Sequence, residues 1–146
     1  MADAPATPPT PATPPAPATP PAIAPTLRVT TMPADANPYG DIFGGWLMSQ
    51  MDMAAGLVAA RHSAGRAVTI AVDGMEFLRP VFVGDEVSVF ASLVKVGKTS
   101  MTIEVEAWRR DRHSSATDKV TQARFVFVGI DAQRVPRAVP PMEAGA

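Results

Sequence analysis

A short acidic, glycine-rich stretch directly before a long apolar run is the strongest chemical feature of the 146-residue sequence. The stretch is NPYGDIFGGW, residues 37–46, in which Asp41 is followed by Gly44 and Gly45. An aspartate in this position is common as a helix cap or in an Asx turn. Glycines at a helix start also let a ligand approach backbone N–H groups that can bind a developing oxyanion. Asp41 beside such a site could activate water for attack on a carbonyl. Both interpretations stay open from these residues alone.

Asp52 is the second acidic residue in an unexpected place. It is the only acidic residue in the run from Trp46 to His62, where most of its neighbours are apolar. Burying a carboxylate costs free energy unless the group is paired. One interpretation is that Asp52 pairs with Ser49, one helical turn earlier, or with a second chain. The other is that the carboxylate has a functional role.

The other reactive side chains favour structural roles. His62 ends the apolar run, where a cation is favourable at a helix C-terminus. His113 lies in a polar segment and is expected to be solvated. Arg109, Arg110 and Arg112 form a basic cluster at a predicted strand end. We interpret the cluster as a solvated edge, although a substrate that carries phosphate could use it.

The composition excludes several classes of function. The net charge of −1 provides no basic surface for nucleic acid, and the absence of cysteine excludes thiol nucleophiles and cysteine-ligated metals. With two isolated histidines, no metal site is expected. The longest apolar run contains Ser49, Gln50 and Asp52, so no membrane insertion is expected. The N-terminus lacks the pattern of a signal peptide, which favours a cytoplasmic protein.

The chain divides into a tail, one domain and a short end. Residues 1–25 are almost wholly Ala, Pro and Thr, a composition that predicts a disordered tail. We interpret this tail as a spacer in preference to a docking arm for a partner. Residues 26–135 are expected to form the folded domain, and 136–146 a C-terminal coil. The chain is expected to leave the domain as coil after Ile130.

The predicted elements are one strand, one long helix and four further strands, which indicates an α+β fold. An antiparallel sheet of about five strands would wrap the helix, and one helix face would remain for a partner subunit. The helix is predicted over residues 46–62, and the strands over 27–32, 68–78, 85–96, 100–108 and 119–130.

In order and separation, these motifs resemble the hotdog-fold acyl-CoA thioesterases of the YciA type. The matching segments are N-x-x-G-D-I-F-G-G-W, then L-M-S-Q-M-D-M-A-A, D-G-M-E-F-L-R-P-V at 73–81 and V-G-D at 83–85. The resemblance implies a hotdog fold and a dimer with active sites between subunits, commonly assembled into tetramers or hexamers. It also implies hydrolysis of acyl-CoA to a free acid and CoA, with no metal or redox cofactor.

The resemblance also implies roles for individual residues. Asp41 matches the catalytic carboxylate, and Asp52 matches a second catalytic acid that reaches a site shared with the neighbouring chain. Gly45 is the candidate oxyanion donor through its backbone N–H. The candidate substrate-binding residues are Asn37, Phe43, Gly44, Arg61 and Lys98, the last two for CoA phosphates.

Two other functions remain open on this scaffold. A dehydratase acting on acyl chains would need a His paired with an acid, but neither His62 nor His113 lies in the loop before the helix. A non-catalytic module that binds acyl-CoA would not need Asp41 and Asp52. Only a measurement of activity separates that module from the enzyme.

Overall fold

The structure is a computed structural model that describes residues 19–143. Most of the predicted tail lies outside the described residues, so the boundary near residue 26 stays a prediction. The elements are β1 (Leu27–Thr30), a 3-10 turn (Pro33–Asp35), α1 (Gly44–Ser63), β2 (Ala67–Phe77), β3 (Glu86–Val96), β4 (Ser100–Arg110) and β5 (Thr117–Gly129). The predicted helix and the five predicted strands are all present, with ends that differ from the prediction by at most two residues.

The five strands form one antiparallel sheet in the order β1-β3-β4-β5-β2. Alternate residues of β4 face α1: Met101, Ile103 and Val105 are fully buried, whereas the residues between them are only half-buried. This two-residue period is that of a sheet with one face on the core. The sheet and α1 together confirm the hotdog architecture.

One face of α1 packs on the sheet, and the opposite face is uncovered in the single chain. The packed face uses Leu47 and Met51 together with alanines, whose small side chains let the helix approach the strands closely. On the other face Met48, Met53 and Leu57 are exposed, with Met53 at 51%. The expectation that five strands leave one helix face free is therefore confirmed.

The C-terminal segment does not leave the domain, contrary to the prediction for the chain after Ile130. Residues 131–143 contain neither a helix nor a strand, yet they fold back over the end of the sheet. Arg137 donates to the carbonyl of Ser63 at 3.0 Å, and the Val139 N–H donates to the carbonyl of Lys98 at 2.9 Å. The prediction failed because the prolines in this segment indicate only that it is not helical, and say nothing about packing.

Among residues 19–143, no helix is both long and apolar enough to cross a membrane.

Candidate active site

The loop before α1 is organised around the side chain of Asn37. Its Oδ1 accepts hydrogen bonds from the N–H groups of Tyr39, at 2.9 Å, and Asp41, at 3.1 Å. The Gly40 N–H donates to the Asn37 carbonyl, and Gly40 adopts a φ of +92°, which favours glycine. The Asx turn is therefore made by Asn37 and not by Asp41. Asn37, predicted as a substrate-binding residue, uses its side-chain oxygen within the loop.

Asp41 does not cap the helix. The N-cap residue is Phe43, which makes no side-chain capping bond, and α1 begins at Gly44, two residues earlier than predicted. The hydrogen bonds of Asp41 within residues 19–143 use its backbone N–H and carbonyl. Its half-buried carboxylate is thus left available for chemistry beside the helix start.

The first turn of α1 presents free N–H groups. The Leu47 N–H bonds to the Phe43 carbonyl at 3.3 Å, so the N–H groups of Gly44, Gly45 and Trp46 have no acceptor within the helix. These groups and the helix dipole make a favourable place for negative charge on a ligand atom.

The two glycines of the first turn have different surroundings. A Cβ on Gly44 would lie 3.2 Å from the ring of Phe77, so this position is tightly packed. A Cβ on Gly45 would meet no atom within 4 Å. Phe43, the residue directly before the helix, is exposed. Because Gly45 is also exposed, a ligand can come close to the backbone of the first turn at this position.

Backbone contacts on both sides of Asp41 fix its position. Asp41 and Phe82 form an isolated antiparallel bridge, and the Ile42 N–H donates to the Val81 carbonyl at 2.8 Å. The Phe43 N–H donates to the Asp35 carbonyl at 3.0 Å. Val81, which ends the D-G-M-E-F-L-R-P-V segment, and the next residue, Phe82, therefore hold the backbone that carries the Asp41 carboxylate.

Asp52 is half-buried at the edge of α1 and faces β2. Its Oδ1 accepts a hydrogen bond of 2.5 Å from the hydroxyl of Thr69, whereas Ser49 donates to the Trp46 carbonyl at 2.6 Å. The expectation that Ser49 pairs with Asp52 is therefore wrong, because the Ser49 hydroxyl bonds to the backbone, whereas pairing with a second chain stays a prediction. The eight residues from Gly44 to Asp52 span about 12 Å of helix, so one chain does not bring Asp41 and Asp52 together.

Arg61 and Lys98 lie at the opposite end of the molecule from Asp41. Arg61 is exposed in the last turn of α1, about 25 Å along the helix from Gly44. Lys98 is exposed in the hairpin between β3 and β4, on an open cleft of about 550 Å³ that Lys95 also lines. Within one chain, neither cation therefore lies within hydrogen-bonding distance of the Asp41 carboxylate.

The interpretation of Arg109 as part of a solvated edge is wrong. Its guanidinium forms an ion pair with the buried Asp85, through Nε to Oδ2 at 2.7 Å and Nη2 to Oδ1 at 3.2 Å. Asp118 accepts from Nη1 at 2.9 Å. The hydrogen bond that Arg109 donates to Asp85, helped by the charges of Asp85 and Asp118, raises the pKa of Arg109 above its ordinary value, although burial opposes this shift. In the sequence, the V-G-D motif, which ends in Asp85, was the signal that pointed to this ion pair.

Within residues 19–143, no three His, Asp or Glu side chains are grouped so as to hold a metal ion. The expectation that the reaction needs no cofactor stays a prediction. His62 Nε2 lies 2.7 Å from the carbonyl oxygen of Pro140, a contact that supports its structural interpretation.

Known proteins share this sequence and fold. The family described as the thioesterase superfamily matches residues 39–116. An uncharacterized acyl-CoA thioester hydrolase of Zymomonas mobilis is 58% identical over 118 residues, which are 81% of this chain and 79% of that protein. The acyl-CoA thioester hydrolase YciA of Escherichia coli is 48% identical over 117 residues, 78% of this chain and 89% of YciA.

Solved structures agree with these sequence matches. The hexameric thioesterase of Yersinia pestis has a TM-score of 0.78 and 45% identity, covering 84% of this chain and 99% of that one. A hexameric hotdog fold thioesterase of Campylobacter jejuni has a TM-score of 0.75 and 36% identity, covering 80% and 90%. The chain therefore belongs to the thioesterase superfamily, as a hotdog-fold acyl-CoA thioester hydrolase of the YciA type.

Proposed function

We propose that this protein hydrolyses acyl-CoA thioesters to a carboxylic acid and CoA at a site formed by Asp41 and the start of α1. One observation carries the proposal: the Asp41 carboxylate caps nothing and lies beside an uncapped helix start, where Gly45 faces open space. Relatives at up to 58% identity that are named acyl-CoA thioester hydrolases support the choice of substrate.

The N-terminus of α1 would stabilise the transition state. The carbonyl oxygen of the thioester accepts a hydrogen bond from the Gly45 N–H, and the helix dipole stabilises the negative charge that develops there. Asp41 then takes a proton from the water that attacks the carbonyl carbon. Alternatively, Asp41 attacks directly and forms a mixed anhydride, which water hydrolyses. In both routes the C–S bond breaks, and CoA leaves as a thiolate that needs little help because a thiol is acidic.

A second chain would complete the site. Asp52 is too far along α1 to meet Asp41 of its own chain, but it lies beside the edge strand β2. The exposed Ile70 of β2 and Met53 of α1 provide an apolar surface for a second copy. The proposal therefore pairs Asp41 of one chain with Asp52 of the partner subunit. Arg61 and Lys98 would reach CoA phosphates across such a contact.

The quaternary structure is proposed to be a dimer that assembles into a hexamer. The relatives from Yersinia pestis and Campylobacter jejuni, which share the fold of the whole domain, are described as hexameric. Light scattering coupled to size exclusion distinguishes two, four and six times the mass of one chain.

The binding residues have unequal structural support. The exposed ring of Phe43 stands next to the helix start and can contact an acyl group. Gly44 contributes its N–H and close packing on Phe77. Asn37 acts on the substrate only indirectly, by holding the loop that carries Asp41.

The test of the proposed activity is free-thiol release from short, medium and long acyl-CoAs by the full-length protein. We expect turnover of at least one chain length, unchanged after treatment with EDTA. Binding of CoA by calorimetry without turnover would replace the enzyme with a binding module. Dehydration of a 3-hydroxyacyl substrate without thiol release would indicate the dehydratase. The proposal includes a cytoplasmic location, which fractionation of cells tests.

A further inference from the structure

Phe82, the residue bridged to Asp41, is held through three separate groups. Its N–H donates to Asp85 Oδ2 at 2.9 Å. Its carbonyl accepts from the hydroxyl of Thr31 at 2.6 Å. Its ring lies beneath the guanidinium of Arg109, at 5.3 Å from the centroid. Phe82 is half-exposed, yet it is held at its N–H, at its carbonyl and at its ring. It therefore moves together with Asp85, Thr31 and Arg109.

Asp85 and Arg109 form the centre of this arrangement. The two residues make a paired contact through both carboxylate oxygens, which fixes their relative orientation as well as their distance. Thr31 also accepts from the Asp85 N–H at 3.1 Å, so β1 and the end of β4 are joined at this point. A buried ion pair is often no more stabilising than apolar residues of the same size. A role in fixing geometry therefore explains the pair better than a role in stability.

The fixed loop transmits its position to Asp41. The Asp41–Phe82 bridge and the bond from Ile42 N–H to Val81 carbonyl form a short antiparallel ladder. A shift of Phe82 therefore displaces the backbone of Asp41 relative to the N–H of Gly45.

We propose that the Asp85–Arg109 pair positions Asp41 for catalysis through Phe82, without contacting the substrate. The inference rests on the proposed function, because it requires Asp41 to be the reacting group. Arg109 and Asp85 are thus positioning residues of the site.

The first test is Arg109→Lys, which keeps the charge but cannot reproduce the planar two-point contact. A displacement of about 1 Å at a reacting group can lower a rate on the order of 100-fold, so we expect kcat to fall about 10- to 100-fold with KM nearly unchanged. The matched control is Arg124→Lys. Arg124 is an exposed residue on β5 whose ion pair with Glu104, at 3.9 Å, does not reach the loop. The control should keep the wild-type kcat.

A double variant separates positioning from general structural damage. If Arg109 acts through Asp41, the effect of Arg109→Lys should vanish in an Asp41→Asn background, because the group being positioned is already gone. An equal loss of rate in both backgrounds would overturn the inference.

A second variant decides the matter if Arg109→Lys fails to fold or the double variant is too slow to measure. Thr31→Val removes the hydroxyl that bonds to the Phe82 carbonyl and to the Asp85 N–H, and it changes neither side chain of the ion pair. We expect kcat to fall about 10-fold with KM nearly unchanged in the folded, assembled protein. Wild-type kcat in this variant would overturn the inference.

The outcomes also distinguish this inference from the proposed function. Full activity of Asp41→Asn would remove the proposed role of Asp41, and with it the positioning role of Arg109. Loss of activity in Asp41→Asn together with wild-type kcat in Arg109→Lys and Thr31→Val would remove only the positioning role.

Discussion

The C-terminal end of α1 is closed by hydrogen bonds from its own chain, whereas the N-terminal end is left open. At the closed end, the N–H of Ala64 bonds to the carbonyls of Ala60 and Arg61, and Arg137 covers the carbonyl of Ser63. At the open end, no side chain caps the helix, and the exposed Gly45 has open space where a Cβ would lie. Helix ends normally need such partners, so the open end has the geometry of a site kept for a ligand.

Rigidity at the open end comes from the flanking loop and not from a cap. The Asp85–Arg109 pair holds Phe82, and Phe82 holds Asp41. A cap on the first turn would stabilise the helix but would occupy the N–H groups that the proposed reaction uses. In the proposed mechanism the fold separates two tasks: the C-terminal end stabilises the helix, and the N-terminal end takes part in the reaction.

The largest effect on this comparison should come from removing the N–H of Gly45. Gly45→Pro deletes the donor, and proline is tolerated in the first turn of a helix. We expect kcat to fall about 10²- to 10³-fold, as for loss of one oxyanion donor. Gly45→Ala is the matched control, since it adds a Cβ in open space and keeps the N–H. Equal kcat values in steady-state assays of the two variants would show that the N–H is not used.

Asp52→Asn should lower kcat next most strongly, by about 100-fold. Because the site is proposed to combine Asp41 of one chain with Asp52 of the partner subunit, mixed assemblies provide a sharper test. Unfolding and refolding an equal mixture of Asp41→Asn and Asp52→Asn chains should restore about a quarter of wild-type activity. Refolding each variant alone is the control. No gain in the mixture would mean that both carboxylates act within one chain or that one of them is dispensable.

At the closed end, Arg137→Met should lower stability and spare the chemistry. The substitution leaves the carbonyls of Ser63 and Ile130, which Arg137 now contacts at 3.0 Å, without their donor. We expect the free energy of unfolding to fall by about 1–3 kcal/mol in urea titrations, with kcat unchanged while the protein is folded. A loss of kcat without a loss of stability would link this end to the reaction.

The smallest effect should be a gain in stability. Ala64 ends α1 with a φ of 53°, the left-handed region in which glycine carries no steric penalty. We expect Ala64→Gly to raise the free energy of unfolding by about 1 kcal/mol, with no change in kcat. A loss of stability would mean that the backbone freedom gained in the unfolded chain outweighs the relieved strain.

The sequence predicts the elements of this fold well because each strand alternates and the helix is long. The predicted start of α1 is two residues late because Gly44 and Gly45 favour loops. In the first turn of a helix, however, their low helix propensity costs little free energy. The local pattern also identified Asp41 and the glycines as a candidate site.

Local sequence patterns do not predict contacts between residues that are far apart in the sequence. Arg109 is 24 residues from Asp85, and Asp52 is 17 residues from Thr69, so both pairs depend on how strands and helix pack. The same limit applies to Arg61 and Lys98, which the sequence predicts as substrate-binding residues and which lie at the opposite end of the molecule from Asp41.

The most direct test of the central claim is kcat for acyl-CoA hydrolysis by wild-type protein, Asp41→Asn and Asp111→Asn. Asp111 is an exposed aspartate whose Oδ1 accepts from the His113 N–H at 2.7 Å, an interaction that asparagine preserves. We predict a loss of about 10²- to 10⁴-fold for Asp41→Asn in a folded, assembled protein and wild-type rates for Asp111→Asn. Wild-type kcat in Asp41→Asn would contradict the account and leave Asp41 as a structural residue of the loop.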